Sequence, residues 1–105
     1  MVNSIELDLL IVGSGLAGLR AAIQAAKVSS KIKIGVISKL QVMRSHSVSA
    51  EGGTAAVLYP EEGDSLESHV YDTVKGSDFL GDQDVIERLV SEMPSEIYQL
   101  EHWGM

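Results

Sequence analysis

The sequence predicts an α/β fold, on three observations. Residues 5–12, IELDLLIV, form an apolar run that stops at a glycine, as a buried parallel strand does. Gly13, Gly15 and Gly18 follow at once in the spacing GxGxxG. The next stretch, LAGLRAAIQAAKV from Leu16 to Val28, is rich in helix formers and sets Leu16, Leu19, Ile23 and Ala26 on one face. SSKIKIGVIS then supplies a turn and a second strand over 32–37. Strand, glycine turn, helix and strand make a Rossmann-like βαβ unit.

After that unit comes a long loop and then α-helices. TAAVLY, residues 54–59, fits a short helix or a strand equally well. Asp64 with Glu67 three residues later reads as a capping box at the start of a helix. Leu66, Val70 and Val74 line one face of that helix, and Gly76 is placed to end it. Asp82 or Asp84 caps a further helix that carries Val85, Leu89 and Val90. Pro94 suits the first turn of a last helix running to about His102.

Composition narrows the function. A chain of 105 residues with 45% apolar content can form a core, and a charged fraction of 22% argues against wholesale disorder. The net charge of −7, with the basic residues scattered, argues against a nucleic-acid partner. With no cysteine, this chain forms no disulfide, ligates no iron–sulfur cluster and has no thiolate nucleophile, which fits a reducing compartment. No apolar stretch approaches the roughly 20 residues that span a bilayer. Glu6 and Asp8 interrupt the first apolar run and no basic segment precedes it, so the start reads as a strand and not as a leader.

The glycine turn carries the first functional signal. The first glycine permits the tight turn, the second lets a pyrophosphate approach the backbone, and the third lets helix and strand pack closely. The helix N-terminus adds unpaired N–H groups and a partial positive charge. Gly13, Ser14, Gly15, Leu16, Ala17 and Gly18 are therefore candidate dinucleotide contacts. The second strand ends VISKL, so Ser38 and Lys39 stand where an acidic residue usually holds a ribose hydroxyl. Lys39 fits a 2′-phosphate, as in NADP, or a family with different adenosine contacts.

The loop MRSHSVSAEGG, residues 43–53, is too particular for a mere connection. With DLLIVGSGLAGLRAA, VISK, HVYDTVKGSDFLGDQD and LEHWG, it resembles the N-terminal portion of the flavoprotein subunit of succinate dehydrogenases and fumarate reductases. The resemblance covers essentially the whole chain in order and is strongest to the fumarate reductase type.

The resemblance implies FAD as cofactor, with Ser38 and Lys39 on its adenosine half and His46 as the site of a covalent histidyl–flavin bond. It sets Arg44, Ser45, Ser47, Ala50, Glu51, Gly52 and Gly53 along the flavin and its ribityl chain. It further implies fumarate–succinate interconversion by an FAD-dependent oxidoreductase, an iron–sulfur partner subunit, membrane anchor subunits, and a place on the cytoplasmic membrane face. Residues 1–105 then form the N-terminal part of a discontinuous FAD-binding domain, without the substrate-capping and C-terminal domains. The substrate-gripping residues fall beyond Met105, so no catalytic residue is expected in this stretch, and no activity from it alone. Its uncovered faces favour self-association. An L-aspartate oxidase-like flavoprotein shares the scaffold but holds FAD without the tether, and His46 counts against it. A non-catalytic nucleotide-binding fragment is the remaining alternative.

Without the resemblance, His46 reads as a solvated loop histidine. His69 and His102 read as structural or surface residues, and no pair of histidines has the i, i+4 spacing of a metal site.

Overall fold

The computed structural model describes residues 4–105, which fall into two compact units, one up to Gly52 and one from Gly53 to Met105. In the first, β1 (Leu9–Val12) and β2 (Ile34–Ile37) pair in parallel, with Leu9 opposite Ile34 and Val12 opposite Ile37. Helix α1 (Leu16–Val28) connects them and packs on both. Its bounds are those the helical spacing predicts.

Both strands are shorter than the apolar runs suggest. At residue 8 the backbone leaves the ladder for side-chain pairing: Asp8 Oδ2 accepts a hydrogen bond from Lys33 N at 2.8 Å. Lys33 O in turn accepts from Asp8 N and Leu9 N. Nor is β1 buried on both faces. Leu9 and Ile11 are half-buried, whereas Leu10 and Val12 are exposed, Val12 at 78%. A two-stranded sheet with one helix covers one face only, which produces the alternation of a half-covered strand.

The turn between β1 and α1 is built on Gly13, whose φ of 113° lies in the region that favours glycine. Its N–H donates to Ile37 O at 2.8 Å, tying the turn to the end of β2. At Gly18 an added Cβ would collide with the Gly13 carbonyl oxygen and lie 3.3 Å from Ile11 Cγ2. Helix and strand can approach this closely only without a side chain there.

Beyond β2, residues Val42–Arg44 form a 3-10 turn and α2 (His46–Ser49) a single helical turn. Ser45 caps α2, its Oγ accepting from Val48 N at 3.3 Å.

In the second unit, residues 54–59 are neither helix nor strand, which resolves the ambiguity of TAAVLY. A 3-10 turn, Pro60–Glu62, leads to α3 (Leu66–Gly76) and α4 (Gln83–His102), which pack together and bury Val74 and Val90. The cap of α3 is Ser65, one residue later than the capping box predicts. Ser65 Oγ accepts from Ser68 N at 3.1 Å, while Asp64 Oδ1 turns back to accept from Ser65 N at 2.8 Å. With Ser65 as cap, the residue three later is Ser68, so no reciprocal Glu67 contact completes the box.

Gly76 is the last residue of α3 and not its left-handed terminator. Asp78 and Phe79 take that conformation, with φ of 52° and 60°. Ser77 supports them: its Oγ donates to Val74 O at 2.7 Å and accepts from Gly81 N at 3.1 Å. Asp82 caps α4, accepting from Val85 N at 3.3 Å. Pro94 lies inside that one continuous helix and starts no new one. The missing N–H leaves Val90 O without its helical donor. Continuing the helix nevertheless keeps Val90 fully buried, at 0% exposure, and preserves the α3–α4 seam. Past Trp103, Gly104 N donates to Glu101 O and Met105 N to Leu100 O, a Schellman closure around Gly104 at φ 100°.

Two glycines test the packing around the sheet. Gly18→Ala forces backbone apart and is expected to cost about 3 kcal/mol. At Gly35 an added Cβ meets only the end of the flexible Leu7 side chain, so Gly35→Ala is expected to stay within about 1 kcal/mol of the parent. Urea denaturation of the two variants measures both. Equal costs would contradict close helix–strand contact at Gly18.

Candidate functional site

The C-terminal ends of β1 and β2, with the glycine turn that leads into α1, border one groove. Val12, Gly13, Ile37, Ser38 and Lys39 line an open cavity of about 540 Å³. In α/β sheets ligands bind outside the carboxyl ends of the strands.

Two serine contacts organise its rim. Ser14, only 4% exposed, donates from Oγ to Ser38 Oγ at 2.9 Å. This joins the glycine turn to the end of β2 and leaves the Ser38 hydroxyl proton free to point elsewhere. Gly15 is the N-cap of α1 and has no side chain with which to cap it. Leu16 N donates instead to Ser47 Oγ at 3.0 Å, across 31 residues of sequence. Among the described residues, no protein acceptor is recorded for the N–H groups of Ala17 and Gly18. These amides, at the positive end of a 13-residue helix, suit an anion.

The structure therefore brings together Gly13, Ser14, Gly15, Leu16, Ala17, Gly18, Ser38, Lys39 and Ser47 within the first unit. Arg44, His46, Ala50, Glu51 and Gly52 belong to the same unit and are exposed, His46 as the first residue of α2. Gly53 falls in the second unit. A Cβ added at Gly52 or Gly53 would meet nothing within 4 Å. Packing within the protein therefore does not explain these glycines. Among the described residues, no group of three or more His, Asp or Glu is placed to hold a metal ion.

Sequence reading missed two pairings, Ser14 with Ser38 and Ser47 with Leu16. Both join residues distant in sequence, and the only local hint was a run of serines flanking glycine and histidine.

A family model described as FAD binding domain matches residues 8–105. The chain belongs to the FAD-binding domain family. Its cofactor is thus FAD, and the residues present fit the group's dinucleotide half. The groove, the free amides of the first turn and the bare backbone at Gly15 form an open cradle, while Gly18 serves the close packing of helix on strand.

Individual relatives agree. The fumarate reductase flavoprotein subunit of Escherichia coli (strain K12) is 52% identical over 98% of this chain. That of Mycobacterium tuberculosis is 50% identical over 92% of it. The succinate dehydrogenase flavoprotein subunit of Coxiella burnetii is 50% identical over 95%. Among solved structures, the FrdA chain of E. coli quinol fumarate reductase, carrying one substitution, superposes with a TM-score of 0.85 at 51% identity over 98% of this chain. The chain spans only 16–17% of the length of these relatives. The resemblance to succinate dehydrogenase and fumarate reductase flavoproteins is borne out along nearly the whole chain.

Gly15 separates binding from folding. A Cβ there lies 3.6 Å from Ser47 Oγ, an ordinary contact. Gly15→Ala is expected to cost at most about 1 kcal/mol, the loss of a good N-cap residue. If the second glycine of the turn admits a pyrophosphate, as its spacing predicts, the added methyl group should weaken FAD binding about tenfold. Paired denaturation and FAD titration measure the two effects.

Proposed function

We propose that this chain is the FAD-binding N-terminal portion of a fumarate reductase or succinate dehydrogenase flavoprotein subunit. The observation that carries the proposal is the meeting of the glycine turn, the end of β2 and the serine–histidine loop at the N-terminus of α1, in a chain half identical to such subunits along its length. The βαβ unit acts as a Rossmann-like cradle. Gly13, Ser14, Gly15, Leu16, Ala17 and Gly18 receive the pyrophosphate, and Ser38 and Lys39 the adenosine half. Arg44, Ser45, His46, Ser47, Ala50, Glu51, Gly52 and Gly53 form the loop that lies along the flavin.

His46 is the tether in this reading. Its exposure on a one-residue-capped turn leaves the imidazole accessible. A ring nitrogen of His46 would hold the group at its 8α carbon: the imidazole N–H and a methyl C–H would each give up a proton, and the electron pair would pass to the flavin and on to an acceptor such as dioxygen. When bound, FAD supplies the two-electron exchange between succinate and fumarate. This chain's own residues hold and orient it.

The same reading makes the chain part of a discontinuous FAD-binding domain whose substrate-gripping residues and capping domain lie elsewhere in the subunit. It gives the whole subunit an iron–sulfur electron partner and membrane anchor subunits, placing it peripherally on the cytoplasmic membrane face. The exposed outer sheet face, including Leu10 and Val12, supports a need for cover. The chain alone is accordingly inactive and prone to self-associate.

The test uses the full-length subunit produced with its partners. After acid denaturation, flavin fluorescence is expected to stay with the protein band and to map to the peptide containing His46. In His46→Ser, FAD is expected in the acid supernatant at a comparable amount. Colourless wild-type protein under a yellow supernatant would overturn the tether, and absence of flavin from both fractions would overturn the FAD site.

A further inference from the structure

We propose that Ser47 is a positioning residue, whose hydroxyl pins the turn carrying His46 to the first turn of α1. The proposal rests on the reading of His46 as the flavin tether, and the covalent step is the one written above.

The physical problem is the size of α2. It has four residues, and a helix of one turn does not persist on its own, because nucleation costs more than a single turn returns. Its local bonds fix its shape: Ser45 Oγ accepts from Val48 N at 3.3 Å, and Ser49 Oγ donates to Ser45 O at 3.2 Å. Neither bond fixes where the turn sits. The bond from Leu16 N to Ser47 Oγ does, because its donor belongs to a helix packed on both strands.

The partner is also specific. Leu16 is the first residue of α1, and its N-cap, Gly15, has no side chain to accept from the first turn. Ser47 therefore satisfies one of the orphan first-turn donors of α1, the amide of its first residue, from 31 residues away. A Cβ at Gly15 would stand 3.6 Å from the Ser47 hydroxyl oxygen, an ordinary contact, so this bond does not itself require the glycine. His46 immediately precedes Ser47, so its backbone is placed relative to the same amides that suit the pyrophosphate. Beyond its place on the loop along the flavin, Ser47 thus acts through Leu16 N.

The test is made on the full-length subunit with its partners, comparing Ser47→Ala, Ser47→Thr and Ser47→Val. Two quantities are read on each: total FAD bound, and the share that survives acid denaturation on the protein at a fixed time after loading. In Ser47→Ala the covalent share of whatever FAD is bound is expected to fall about fivefold, the worth of one neutral hydrogen bond as an equilibrium constant. Ser47→Thr, which retains a hydroxyl, should restore the covalent share, and Ser47→Val, its near-isostere, should not. A covalent share equal to wild type in both Ala and Val variants overturns the pin. So does parallel loss of total FAD in all three, which would mark a purely structural role. If Ser47→Ala does not accumulate, the Thr–Val pair decides alone. Absence of covalent flavin from the wild type itself would fail the tether reading, and is thereby distinguished from failure of the pin.

Discussion

The close contact between α1 and β1 at Gly18 is the constraint on which the site depends. With no Cβ at that position, the helix can start directly against the Gly13 carbonyl and Ile11. Its first-turn amides then open at the carboxyl ends of the paired strands. Moving the helix outward by the width of a methyl group would separate the amides from the groove lined by Ser38 and Lys39. In the proposed reading, affinity for a pyrophosphate here follows from backbone packing, with few side chains involved.

Small hydroxyls then lock the geometry where larger groups would block the ligand. Ser14 reaches the end of β2 through Ser38, and Ser47 reaches the start of α1 through Leu16 N. Each joins two segments at the rim of the groove while filling little volume. An acidic residue in place of Ser38 would bring the charge that usually holds a ribose hydroxyl. A serine held by a buried serine brings only a dipole, which is consistent with a cofactor whose adenosine end is gripped differently from that of nicotinamide dinucleotides.

The βαβ unit was legible because its signals are local and agree with one another. Helix formers from Leu16, a glycine turn before them and a β-branched run after them all require the same chain path, and α1 begins and ends where spacing places it. The errors arose where a tertiary contact or a neighbouring residue competed with a local rule. Asp8 gave up strand pairing to accept from Lys33 N. Ser65 displaced Asp64 as cap because its own extended backbone lets Oγ face Ser68 N. Pro94 continued a helix because breaking it would uncover Val90. In the site, the glycines and the end of β2 were readable, whereas the place of the histidine loop depends on a hydrogen bond that no local pattern encodes. The resemblance supplied the role of His46, and residue chemistry alone favoured a solvated loop histidine.

Hydrogen–deuterium exchange on the full-length subunit, without FAD and with FAD bound, tests the central claim most directly. The predicted result is slowed exchange at the amides of residues 13–18 and across 38–53, with α3 and α4 little changed. FAD-dependent protection that spared the first turn of α1 would contradict a cofactor held at the meeting point of helix, strands and histidine loop.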